Sequence, residues 1–162
     1  MTVAGTGSEA RRIADELRRA QEGEAWHGPS AREVLIGVTA EQAAARPIPG
    51  AHSIWELVLH LTAWRGEALR RIQGGTPGAP AEGDWPPVRD TGDAAWAAAL
   101  HALGEANCAL VAAVERLSDS RLDDPIGRDS VYVLLHGVAQ HDAYHLGQVS
   151  LLKKALQAQA PR

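Results

Sequence analysis

The stretch VYVLLHGVAQHDAYHLGQVSLLKKAL, residues 131–156, decides the fold reading, because histidines interrupt what is otherwise a helical core stripe. Apolar residues recur at Val131, Leu134, Leu135 and Val138, then at Val149, Leu152 and Leu156, the three- and four-residue spacing of one buried helix face. His141 and His145 stand in the gap of that stripe. On a helix they are about 40° apart round the axis and about 6 Å apart along it, so both imidazoles reach one point. Two neutral imidazoles at this spacing on a rigid helix make half of a transition-metal site. A third ligand has to come from elsewhere in the chain.

Working outward, the rest of the sequence reads as helices separated by loops. Residues 8–21 predict a first helix with Ile13, Leu17 and Ala20 facing inward and Ser8 as its cap. Ser30 with Glu33 forms a capping box for a short helix over 31–37, and Thr39 with Gln42 repeats the signal for one more turn. Pro47, Pro49 and Gly50 break the chain before Ser53 and Glu56 open a long helix over 54–73, stopped by Gly74-Gly75. Its stripe is Leu57, His60, Leu61, Trp64 and Ala68. After the loop TPGAPAEGDWPPVRD, Asp90 or Thr91 is expected to cap a third long helix ending near Leu117, with Trp96, Leu100, Leu103, Leu110, Val111 and Val114 inward. A second loop, SDSRLDDPIGRD, leads back to the opening stretch. The expectation is an all-α four-helix bundle, with short extra helices between helices 1 and 2, as a single domain over residues 1–162.

Composition narrows the function classes. With 45% hydrophobic and 22% charged residues, the chain of 162 residues is ordinary for a soluble domain with a sizeable core. A net charge of −4 argues against nucleic acid or an anionic membrane as partner. The single cysteine, Cys108, excludes an intramolecular disulfide framework, suits a reducing cytoplasm, and is expected in the core rather than as a nucleophile. The N-terminal segment lacks the apolar core of a signal peptide, and no segment is expected to span a membrane.

The histidines sort by face. His60, between Leu57, Leu61 and Trp64, points into the bundle, and can meet His141 and His145 if the second and fourth long helices are neighbours. Three imidazoles leave coordination positions open, as a catalytic metal site requires. The competing reading is three hydrogen-bonded core histidines. A pair at ligand spacing with a third on another apolar stripe favours the metal. His136 lies about 180° round the helix from His145 and is assigned a structural or interface role. His101 is expected in solvent, and His27 and His52 in loops.

Ser53-Ile54-Trp55-Glu56, His60 and Trp64, together with His141-Asp142-Ala143-Tyr144-His145-Leu146-Gly147-Gln148, resemble the DinB/YfiT-like superfamily, as does Trp26-His27-Gly28-Pro29-Ser30. The resemblance covers nearly the whole chain. It implies a four-helix bundle, often a homodimer, holding a divalent metal on His60, His141 and His145. It also implies a metal-dependent enzyme, either a hydrolase or a transferase that uses a low-molecular-weight thiol, acting on a small molecule. One position departs: Leu146 stands where many relatives carry Arg after the last histidine, so that residue's role does not carry over.

A tris-histidine cation is a Lewis acid that activates water or holds a thiolate, and imidazole ligands suit zinc or nickel first. Candidates to assist it are Glu67, seven residues past His60, and Gln148 and Tyr144 near His145. Glu67 has an alternative as an ion-pair partner of Arg70 or Arg71, and Glu56 is a further candidate to orient the His60 ring. The site is expected in a pocket at one end of the bundle. The rival from another class is a non-catalytic metal- or small-ligand-binding protein of a stress response, and a third is a helical interaction domain whose histidines hold nothing.

Overall fold

The computed structural model describes residues 7–159. Its first helix, α1 (Glu9–Glu22), is capped twice: the Ser8 hydroxyl accepts from the Arg11 N–H at 3.4 Å, and the Asp119 carboxylate accepts from the N–H groups of Glu9 and Ala10 at 3.0 Å. The second cap comes from a residue more than a hundred positions away, so it docks the 117–130 segment as well as starting the helix. Helices α2 (Ala31–Leu35), α3 (Ala40–Ala44) and α4 (Ile54–Ile72) each begin with the capping box read from sequence: Ser30 with Glu33, Thr39 with Gln42, Ser53 with Glu56. Each such cap is worth about 1 kcal/mol.

Helix α5 (Asp93–Glu115) starts later than expected. Its N-cap is Gly92, without a side-chain bond, because the Asp90 carboxylate is used in a turn, accepting the Gly92 N–H at 2.8 Å. The segment expected as plain loop after α5 contains a 3-10 turn, Asp119–Asp123, and a small hairpin of β1 (Pro125–Ile126) and β2 (Asp129–Ser130). Its two-residue connection begins with Gly127 at φ 64°, a backbone conformation that a side chain would strain. Helix α6 (Val131–Gln159) follows directly and is the longest.

Helix α4 packs against α5 and α6, and α1 packs against the same two, so the four long helices close into a bundle with α4 and α6 adjacent. Two apolar clusters fill it. One gathers Trp55, Leu61, Trp96 and Leu146 with α2 and α3. The other gathers Leu17, Ile72, Leu110 and Leu135. Between them, at mid-length, runs a polar layer containing the buried Arg65, Asn107, Asp142 and His145.

Several side chains differ from the sequence expectation. Cys108 is exposed, not in the core, and its neighbour Asn107 is buried at 1% exposure: one residue is about 100° on a helix, enough to exchange faces. Trp64 and Leu100 are half-buried, while Arg65 and Glu67 are buried. By length and composition α5 is also apolar enough to cross a membrane, although none was expected to be. Alanines produce that apolarity, and the helix packs against α1 and α4.

Candidate metal centre

Helix α4 carries His60 and helix α6 carries His141 and His145 into the polar layer, and one ligand atom from each lies within 4.8 Å of the other two. The rings are close in every pairing, with centroids 4.9 Å, 4.7 Å and 4.5 Å apart. His60 and His145 are buried at 4% and 6% exposure. The cluster sits at mid-length, not at one end of the bundle, because charged and polar groups collect where the two apolar clusters leave off.

Hydrogen bonds decide which nitrogens are available. His60 Nδ1 lies 2.6 Å from the Asp84 carbonyl oxygen, which can only accept, so Nδ1 carries the proton and Nε2 is left with a bare lone pair. His145 Nδ1 donates in the same way to Gln148 Oε1 at 2.7 Å. His60 Nε2 and His141 Nε2 are 2.9 Å apart, too close for two bare lone pairs with nothing positive between them. Either a proton or a cation resolves that contact. Burial, then the neighbouring His145 and His60, pushes the His141 pKa down to about 4, and burial also lowers that of His145. Burial disfavours the charged form of His141 and His145, and the acceptors on Nδ1 of His60 and His145 set which nitrogen is free, so the donor set fits a divalent ion.

The segment between α4 and α5 covers the cluster. Trp85 stacks on His60 at 4.0 Å and 11°, and on its other side His52 stacks at 3.5 Å and 8°. Asp84 Oδ1 accepts from Trp64 Nε1 at 2.7 Å. Behind the cluster Arg65 and Asp142 form an ion pair at 2.8 Å, with side-chain exposures of 1% and 0%. The guanidinium also donates to Gln21 Oε1 of α1 and to the Leu103 carbonyl of α5, so one side chain links all four long helices. Beside His60 and His141 opens a cavity of about 400 Å³.

The other candidates fall elsewhere. Gln148 bonds His145 as described, and Tyr144, largely exposed, has its ring 5.0 Å from that of His145. Glu67 does not border this cavity: both its oxygens are taken by Arg70 and Arg71, and it accepts the Gly78 N–H at 3.1 Å. Glu56 does not orient His60; it completes its capping box and pairs with Arg46. Leu146 is buried in the core beside Val149 and Leu152. His136 pairs with Glu16 at 3.3 Å, and His101 and His27 are exposed. Sequence reasoning missed Asp84, Trp85, Arg65 and Asp142. Only the length of the 74–92 segment hinted at the first two.

A family model described as the DinB superfamily matches residues 25–149. The chain belongs to the DinB superfamily. The matched span holds all three histidines, the covering segment and the Arg65–Asp142 pair. No curated protein and no solved structure matches the chain. This DinB protein thus has the all-α fold of its family and three histidines that can hold a metal ion.

Proposed function

We propose that this DinB protein is a metal-dependent enzyme, a hydrolase or a transferase using a low-molecular-weight thiol, with zinc or nickel held by His60, His141 and His145. The observation that carries the reading is the pairing of three converging rings with fixed outer acceptors: Asp84 O and Gln148 Oε1 hold protons on Nδ1 of His60 and His145 and turn Nε2 inward. The bound cation supplies Lewis acidity that activates water or a thiolate near neutral pH. The chain's own residues do the rest. His60, His141 and His145 present the ring nitrogens that would hold the ion, Trp85 closes one side of the cluster to solvent, and the cavity beside His60 and His141 seats a small molecule.

A homodimer in the cytoplasm, with no nucleic acid or membrane partner, completes the proposal. A second reading, a non-catalytic binder of metal or a small ligand, draws on the two carboxylates expected to help: Glu67 is locked by two arginines, and Glu56 is held in its capping box and by Arg46. Elemental analysis of the purified protein and of His141→Ala tests the centre. A stoichiometric metal lost in the variant supports it, and full occupancy in the variant removes the assignment. Thiol-transfer assays with an electrophilic acceptor, run beside an esterase and amidase panel, separate enzyme from binder.

A further inference from the structure

The cavity beside the histidines has a chemistry of its own. Its wall is aliphatic where α6 and the hairpin face it, with Ile126, Leu134 and Val138, and Ala68 and Trp64 close the α4 side. Two guanidinium groups also line it, yet both are already engaged. Arg65 is held by Asp142, Gln21 and the Leu103 carbonyl. Arg71 is held by Glu67 and the Gly78 carbonyl. The two carboxylates on its wall, Asp84 and Asp129, repel an anion. Asp142 matches the charge of Arg65, and Arg71 shares the one carboxylate of Glu67 with Arg70, so an acidic substrate body meets at most a partly matched cation opposite two carboxylates, while an uncharged apolar one finds wall to bury against.

We infer that this cavity receives the uncharged, apolar body of a ligand whose metal-seeking head reaches His60 and His141. The assignment rests on the metal-centre reading and adds the substrate class to it: a small molecule with a donor head and an aliphatic or aryl body, without a second negative charge. Gly137 is the residue that keeps the space open. It lines the cavity on α6, and a Cβ placed there meets nothing within 4 Å among the described residues, so a larger side chain fits the helix and fills the cavity instead.

Straight-chain hydroxamates provide the probes, since the hydroxamate seeks the cation and the chain tests the wall. Binding to the zinc-loaded full chain is measured by calorimetry for acetohydroxamate, butanohydroxamate and hexanohydroxamate, and for a six-carbon chain ending in a carboxylate. Affinity is expected to rise about fourfold per added methylene, and the carboxylate-ended chain is expected to lose that gain. In Gly137→Leu the length dependence is expected to vanish while acetohydroxamate still binds. Equal affinities across the series in the unaltered protein overturn the inference and leave the metal centre standing, with no variant needed. Failure of every probe, with no zinc retained, overturns both.

Discussion

Arg65 closes on a single oxygen of Asp142, through Nε at 3.2 Å and Nη2 at 2.8 Å, in the middle of the bundle and out of contact with water. The other oxygen, Oδ1, has no hydrogen-bond partner among the described residues. Removing one member leaves an uncompensated buried charge. Arg65→Met is therefore expected to cost about 3–5 kcal/mol of stability, whereas Arg65→Met with Asp142→Leu recovers most of it. Urea unfolding of the single and double variants checks this. A single variant within about 1 kcal/mol of the parent would show that the pair is not what holds the layer together.

Outer acceptors of metal-binding histidines typically contribute 10–100-fold to affinity. Gln148→Leu removes the bond to His145 Nδ1 and frees the ring to change tautomer. Zinc affinity, measured by competition with a chromophoric chelator, is expected to fall about tenfold or more. An unchanged affinity would mean that packing alone orients the ring.

Metal removal has a thermodynamic signature. A cation that binds only the folded chain stabilises it by about 2.7 kcal/mol at a hundred times its dissociation constant. Zinc is expected to raise the melting temperature of the parent and to do nothing for His60→Ala, because one of its ligands is gone. Equal stabilisation of both proteins would place the ion elsewhere.

Glu67 supplies a pH prediction. The hydrogen bond from Arg70, with those from Arg71 and the Gly78 N–H, holds its pKa down at about 2 against an ordinary 4.5. A depressed folded pKa means that the stability it confers is fully present above about 4.5 and is lost as pH falls from there toward about 2. Glu67→Gln should lower stability at pH 7 and flatten the decline between pH 5 and pH 3. Urea midpoints at these pH values read it out, and an acid limb as steep in the variant as in the parent would rule it out.

Local signals carried most of the fold. Three capping boxes and the apolar stripes around Leu17, Leu61, Leu110 and Leu135 are written in residues three and four apart, and the structure uses them as written. His141 and His145 were legible for the same reason, being one turn apart on one helix. What could not be read was long-range. Asp119 caps α1 from more than a hundred residues away, and Arg65 finds Asp142 across the bundle. Nothing near Arg65 in sequence distinguishes it from a solvated arginine. Cys108 was placed in the core and is exposed, because an alanine-rich helix gives weak contrast between its sides.

The bond that fixes the His60 ring ends on the peptide oxygen of residue 84, not on its side chain. Exchange of the residue keeps that peptide acceptor, although it removes the Asp84 carboxylate, which lies 3.4 Å from the same nitrogen and accepts from Trp64. A change in the number of residues between α4 and that point shifts the acceptor out of reach. Among relatives, the spacing from the first histidine to this oxygen is the quantity to compare, and a difference in gap length there forecasts altered metal binding better than a difference in residue identity.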